Sequence, residues 1–244
     1  MTDQICIVIP TYNNAGTIGR VVTEARQSGL RVIVVDDGCT DATADILAGL
    51  PDVHTVSYTP NRGKGYALRE GFREARRLGF DYVITMDADG QHAAADLPAL
   101  LQAHREHPDA LIVGSRDLHA GNMPGKNTFA NKFSNFWFTL QTARRLPDTQ
   151  TGYRLYPLKR IGGLRWMTRR YEAELALLVF SAWRGVQLLP TPVSVYYPPR
   201  DERVTHFRPG RDFARISCLN TLLCFLAVVY GYPMMLWHKL HPRS

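Results

Sequence analysis

Cysteine, export signals and nucleic-acid motifs are scarce in this chain of 244 residues. The four cysteines, Cys6, Cys39, Cys218 and Cys224, form no CxxC pair and sit in apolar or turn settings, so they read as free thiols in a reducing compartment. The amino terminus has no basic region followed by a long apolar stretch, so no secretory signal is read there and a cytosolic location is expected. No helix-turn-helix, RNP-like aromatic strand or zinc-finger spacing accompanies the basic residues, and nucleic acid is not expected as a partner. Internal repeats and low-complexity segments are absent as well.

What is present is enough sequence for one sizeable α/β domain with a small appendage. The formal net charge is +7, and the basic residues thicken after Lys126, at Arg144-Arg145, Lys159-Arg160, Arg165, Arg169-Arg170 and from Arg200 to Arg215. Such a bias suits an acidic membrane surface or a phosphorylated substrate, although each cluster taken singly also reads as a solvated face.

The first half alternates short β-branched runs with helical segments, the pattern of a mostly parallel sheet covered on both faces. Strands are expected at Ile5–Ile9, Arg31–Val35, Val53–Tyr58, Tyr82–Met86 and Ala110–Val113. Helices are expected near Thr17–Gln27, Ala42–Gly49, Gly65–Leu78 and Leu97–His107. Asn13 or Asn14, Thr40 or Asp41, and Asp96 offer side-chain oxygens for helix starts, and Gly29, Gly49 and Gly79 fall where a left-handed residue ends a helix.

Chemistry gathers at the ends of these strands. Asp87-Ala88-Asp89 follows the fourth, where carboxylates point into the crevice in which open α/β sheets bind ligands and hold a hard divalent cation against phosphate oxygens. Pro10-Thr11-Tyr12-Asn13-Asn14 follows the first strand and Asp36-Asp37-Gly38-Cys39-Thr40-Asp41 the second. Asn61-Arg62-Gly63-Lys64-Gly65 follows the third. It lacks Walker spacing, its glycines permit close backbone approach, and Lys64 offers a point charge to a phosphate. Asp36-Asp37-Gly38 alone is also a good turn and helix-start sequence.

This ordered set resembles the family 2 glycosyltransferases, which have the GT-A fold. The continuation Gly114-Ser115-Arg116 and Asp148-Thr149-Gln150-Thr151-Gly152-Tyr153-Arg154 is similar to the polyprenyl-phosphate, dolichyl-phosphate mannosyltransferase-like branch. The likeness spans roughly residues 4–210. It implies a catalytic domain over 1–210, with a nucleotide-sugar half at 1–116 and an acceptor half at 117–210, followed by a membrane-associating tail at 211–244.

By resemblance, Thr11, Tyr12 and Asp37 contact the base or ribose of a UDP- or GDP-linked sugar. Pro10, Asn13, Asp36, Lys64, Asp87, Ala88 and Gln91 join the same site, and Arg200 or Arg203 closes over the diphosphate. Asp87 and Asp89 are the metal pair for Mg2+ or Mn2+, which would act as a Lewis acid on the leaving diphosphate, with Asp89 the more direct ligand. His92 reads as a surface loop histidine or a further ligand. Arg116, Lys126, Asn131 and Arg154 are the acceptor-binding set, while Ala130 stands where the branch often carries a hydroxyl. Asp89, Asp148 and Arg116 form the catalytic set, Asp148 being a base, a positioning carboxylate or a turn cap. Glu172 and Glu174 read as helix-start carboxylates.

The acceptor is expected to be a lipid phosphate, which is already anionic and needs cations rather than a base. A hydroxyl on a lipid or growing glycan is the alternative, and a non-catalytic nucleotide-sugar scaffold is a third. A nucleotidyltransferase would carry a glycine-rich Arg-Lys loop after the first strand, where this chain has Pro10-Thr11-Tyr12-Asn13-Asn14. Two segments speak for a membrane surface. Phe129, Phe133, Phe136, Trp137 and Leu140 share one helix face, suited to core packing or to an in-plane helix at the headgroup layer. Cys218–Trp237 is twenty residues without a charge, read as a monotopic or re-entrant anchor on the cytoplasmic face rather than a spanning helix.

Overall fold

The structure is a computed structural model that describes residues 4–116, 125–161, 168, 170–196 and 209–241. Among the described residues, seven strands form one sheet in the order β3-β2-β1-β4-β6-β5-β7. These are β1 (Ile5–Thr11), β2 (Arg31–Asp36), β3 (His54–Ser57), β4 (Tyr82–Thr85), β5 (Leu111–Arg116), β6 (Arg154–Pro157) and β7 (Leu188–Val193). All neighbours are parallel except β6, which runs antiparallel between β4 and β5. The helices are α1 (Ile18–Arg26), α2 (Thr43–Ala48), α3 (Lys64–Arg77), α4 (Leu97–Glu106), α5 (Gly125–Thr142), α6 (Glu172–Trp183), α7 (Pro209–Leu226) and α8 (Tyr232–Leu240).

Period-two alternation along the strands divides the core. Cys6 and Val8, Ile33 and Val35 face a layer containing Leu68 and Phe72 of α3, Phe138 of α5 and most of α6. Ile7 and Ile9, Val32 and Val34 face Ile18, Val21, Val22 and Ala25 of α1 together with Leu97 and Leu100 of α4. The α1 residues recur at i, i+3, i+4 and i+7, which is why this segment forms a helix against the sheet. Each such Ile or Val contributes about 1.5–3 kcal/mol by leaving water. α6 is buried nearly all round, as a core helix rather than a surface one.

Several local expectations are corrected. Gly29 and Gly79 adopt the left-handed conformation, at φ 76° and 85°, but Gly49 stays right-handed at φ −82°. Asp96 starts α4 without capping it: its carboxylate instead accepts hydrogen bonds from Ser194 N (2.8 Å) and Oγ (2.7 Å). At α2, Asp41 accepts from Thr43 N within an Asx turn and from Ala15 N of the neighbouring loop. The aromatic stripe of α5 is only partly packed: Phe133 and Trp137 are half-buried. Asn131, Phe138 and Thr142 occupy its buried face, while Phe136 and Leu140 are 60% and 48% exposed.

α7, a π-helical turn at Ala227–Gly231 and α8 form one long helical element, apolar and long enough over Ala214–Leu240 to cross a membrane by length and composition. Pro233 has no N–H to donate and so costs the helix one backbone bond, which accounts for the widened turn just before it. Its middle is docked on the domain. Leu219, Leu223 and Ala227 are buried, and Gln141 Nε2 donates to Asn220 Oδ1 (3.0 Å). A Cβ at Gly231 would come within 2.4 Å of the Trp183 indole.

Candidate active site

The parallel register aligns Thr11 with Asp36 and Asp36 with Ser57, so the loops after β1, β2 and β3 leave the same edge of the sheet. β4 ends earlier, Thr85 pairing with Val8, and its loop carries residues 87–92 beside them. Pro10 and Thr11 are buried within the strand end, leaving Tyr12 and Asn13 half-buried at the surface. Asn13 takes the left-handed conformation (φ 53°), and its carboxamide accepts from Thr40 N (2.7 Å) and donates to Thr40 Oγ1 (3.1 Å). Asp36 accepts from Cys39 N (2.8 Å). These contacts brace the two turns against each other.

Asp37 is buried and its carboxylate holds the next loop: it accepts from Arg62 N (2.7 Å), Gly63 N (2.8 Å) and Asn61 Nδ2 (2.9 Å). Burial nonetheless pushes its pKa up, since these bonds only partly repay lost hydration. The clamp depends on Gly38, at φ 73°, where a Cβ would lie 2.7 Å from Asn61 N. Gly65 permits a close approach of another kind. A Cβ there would meet Thr168 O at 2.4 Å and Ala173 Cβ at 2.5 Å, so α3 and the start of α6 are packed backbone to backbone.

Lys64 Nζ lies 2.7 Å from Asp87 Oδ1 and 2.8 Å from Glu174 Oε2. Burial works against the ammonium, but the two carboxylates overcome it and hold its pKa above the ordinary lysine value. Burial likewise opposes ionisation of Asp87, and Lys64 outweighs it, so Asp87 is held below the ordinary carboxylate value. Asp89 has no such partner within its loop beyond Gln91 N (3.0 Å), and burial together with the Asp87 charge pushes it up to about 6. Ala88 O accepts from Thr17 Oγ1 (2.6 Å), fixing the loop to α1.

His92 is buried, not on the surface. Its ring stacks on Tyr153 at 5.0 Å, Asp87 N approaches Nδ1 at 3.5 Å, and burial pushes its pKa down to about 4. Asp87 and Asp89 provide hard oxygen donors on one short loop, the chemistry a divalent cation takes. No group of three His, Cys, Asp or Glu side chains that could hold a metal ion occurs among the described residues. Two carboxylates completed by substrate phosphates and water are what Mg2+ ordinarily takes, so the pair fits.

On the other side of β4, Arg116 grips Asp148 through Nε–Oδ2 (2.5 Å) and Nη2–Oδ1 (3.0 Å). Asn131 Nδ2 (2.8 Å) and Gln150 N (3.0 Å) donate to the same carboxylate. Asp148 is 0% exposed. Burial would raise its pKa, but Arg116 and these donors hold it below the ordinary value. Arg154, expected at the acceptor side, is also 0% exposed. Its guanidinium donates to Glu174 O (2.8 Å), Thr149 O (2.9 Å) and the Tyr156 hydroxyl (3.2 Å), tying β6 to α6. The Lys126 side chain and Arg200 and Arg203 lie outside the described residues.

Sequence reasoning passed over Glu174 as the partner of Lys64. One signal pointed there: a lysine in the first turn of a helix opposes the helix dipole and requires nearby anions.

Carboxylates and a half-buried lysine lie at the carboxyl edge of an α/β sheet, the edge at which open sheets of this kind bind ligands. The particular family follows from the sequence. Residues 6–159 match the family described as Glycosyl transferase family 2, and the chain belongs to that family. Glycosyltransferase AglJ of Haloferax volcanii is 32% identical over 213 residues, covering 86% of this chain and 68% of its own. The undecaprenyl-phosphate mannosyltransferase of Micrococcus luteus is 34% identical over 164 residues, 63% of this chain and 66% of that protein. A UDP-N-acetylglucosamine--dolichyl-phosphate N-acetylglucosaminyltransferase of Methanococcus voltae is 28% identical, covering 81% and 88%. Mannosyl-3-phosphoglycerate synthase from Rubrobacter xylanophilus shares the fold, with a TM-score of 0.62 at 19% identity over 99% of this chain and 76% of that one. The protein is thus a glycosyltransferase with a GT-A-like fold.

Proposed function

We propose that this glycosyltransferase moves a sugar from a UDP- or GDP-linked donor to a polyprenyl phosphate at the cytoplasmic surface of a membrane, with Mg2+ or Mn2+ held by Asp87 and Asp89. The observation that carries the choice of acceptor is Asp148. A carboxylate without exposed surface, gripped by Arg116 and held below its ordinary pKa, is poorly suited to take a proton from a hydroxyl. A phosphate monoester needs no such base. Relatives named for transfer to undecaprenyl phosphate and dolichyl phosphate support the same reading.

In this scheme residues 1–116 form the donor half and 117–210 the acceptor half, with Arg116 at the junction serving the acceptor. Tyr12, Asn13 and the loop clamped by Asp37 wall the nucleotide end, and Arg116, supported by Asp148 and Asn131, faces the acceptor phosphate. The cation would neutralise charge growing on the leaving diphosphate. One displacement by the acceptor oxygen, in line with that leaving group, inverts the anomeric carbon.

The membrane reading rests on the outward faces of α5, α7, the π-helical turn and α8, where Phe136, Leu140, Leu222, Phe225, Val228, Val229, Leu236, Trp237 and Leu240 are all exposed. Apolar side chains gathered on neighbouring helices mark an interaction surface. Because the opposite face of the long helical element is docked on the domain from Leu219 to Gly231, and His238 packs on Gly185, the element suits one leaflet in plane better than a bilayer crossing.

A hydroxyl acceptor is the second reading, favoured by one atom: Glu172 Oε2 is buried with no hydrogen-bond partner among the described residues, two residues from Glu174. The test is transfer of labelled sugar from a panel of UDP- and GDP-sugars to undecaprenyl phosphate in detergent micelles. Organic-extractable label that disappears in Asp89→Ala supports the proposal. Donor hydrolysis without lipid product, abolished by Glu172→Gln, turns it toward the hydroxyl reading.

A further inference from the structure

The carboxylate proposed to hold a divalent cation already has a cation on it. Lys64 Nζ sits 2.7 Å from Asp87 Oδ1, so metal and ammonium compete for the same carboxylate. The ammonium has a second carboxylate within reach, Glu174 Oε2 at 2.8 Å, on a different helix. Both ends of this bridge are set by backbone. Lys64 opens α3, Glu174 lies in the first turn of α6, and the two helix starts are pressed together at Gly65. Gly152 closes on the far side of Asp87, where a Cβ would lie 2.6 Å from Oδ2, so the carboxylate has little room to swing away.

We infer that Lys64 is a positioning residue that stands in for the metal at Asp87, and that Glu174 retains the ammonium when a divalent cation takes Asp87 over. The inference rests on the metal reading above. Its physical content is an exchange of partners. In the metal-free site Lys64 screens Asp87 and preserves the loop that carries Asp89. On loading, Lys64 loses one of two carboxylates rather than both, so its charge stays buried but paired. It then remains beside the crevice as a fixed positive charge facing a phosphate-bearing ligand.

The exchange predicts effects of opposite sign. In Lys64→Met the competitor is gone, and the donor-free protein binds Mn2+ about tenfold tighter than wild type. In Glu174→Gln the ammonium has only Asp87, and Mn2+ binds about tenfold weaker. A merely structural role would weaken both.

The experiment is titration of full-length protein in detergent with Mn2+, reading free ion by electron paramagnetic resonance. Thermal unfolding of each metal-free variant is measured alongside. Tighter binding in Lys64→Met with weaker binding in Glu174→Gln supports the inference. If the methionine variant does not fold, Glu174→Gln decides: unchanged or tighter binding overturns it. Wild type that binds Mn2+ while both variants shift the same way overturns the exchange alone. Wild type that binds no Mn2+ overturns the metal reading and the exchange with it.

Discussion

The Lys64–Asp87 and Arg116–Asp148 pairs have like components and unlike surroundings. Lys64 and Asp87 keep 18% and 24% of their side-chain surface exposed, and Lys64 divides itself between two carboxylates. Asp148 keeps none and receives five donors from Arg116, Asn131 and Gln150. A half-open pair with a spare partner is built to rearrange when ligand arrives. A sealed, fully bonded pair is built to stay, and its use is to aim what it holds. The difference separates the proposed donor side, where charge is exchanged, from the proposed acceptor side, where charge is fixed.

The largest expected effect comes from breaking the sealed pair. Asp148→Ala removes the buried carboxylate that Arg116 and Asn131 share and costs about 3–5 kcal/mol of folding stability by urea unfolding. The acid limb follows the same group. Its folded pKa lies below the unfolded value, so its contribution is present above the ordinary carboxylate range and lost as pH falls through the folded value. Wild type should therefore lose stability below about pH 4 more steeply than Asp148→Asn. Equal slopes would mean the pair contributes nothing of its own.

On the half-open side the effect falls on rate instead. Asp89→Ala removes the proposed metal carboxylate that forms no salt bridge among the described residues, and should reduce the proposed metal-dependent transfer by at least about a hundredfold while changing urea stability by less than about 0.5 kcal/mol. Comparable losses of stability at Asp89 and Asp148 would erase the distinction between the two pairs. A third, intermediate effect concerns the docked tail. Gly231→Leu drives a side chain into the Trp183 indole and should cost about 1–3 kcal/mol, with weaker sedimentation with anionic vesicles as the long helix shifts. Unchanged vesicle binding would separate docking of the helix from membrane attachment.

How far the sequence was readable also differs between the regions. β1 to β4 and their helices were legible because unbroken β-branched runs alternate with amphipathic stretches. β6 and β7 were not. β6 begins with Arg154, whose charge is absorbed by carbonyls of α6 and the preceding loop, and β7 contains Pro190 and Pro192. Those prolines are tolerated because β7 is the sheet edge beyond β5. At the site, the strand-end carboxylates were visible as a group, and the turn reading of Asp36 describes its bond to Cys39 N. The partners of Lys64 and Arg116 were not visible, since no local pattern says which distant carboxylate a buried cation meets.

The smallest expected effect lies at the seam where the two sides meet. The loop carrying Asp89 and Gln91 is stitched to the segment after β7 by Tyr196 N donating to Gln91 O (2.9 Å), by the His92–Val195 bridge, and by Asp96 accepting from Ser194. Asp96→Ala deletes only the last of these, two bonds at an exposed site, and should cost about 1 kcal/mol in stability. Its kinetic effect should be lopsided. The segment after β7 leads into the stretch proposed to close over the donor, so a looser seam should raise the KM for the nucleotide sugar severalfold and leave kcat nearly unchanged. A fall in kcat at constant KM would mean that the seam aligns reacting groups rather than shaping donor binding, and the division into an exchanging side and a fixed side would then have to include this loop on the fixed side.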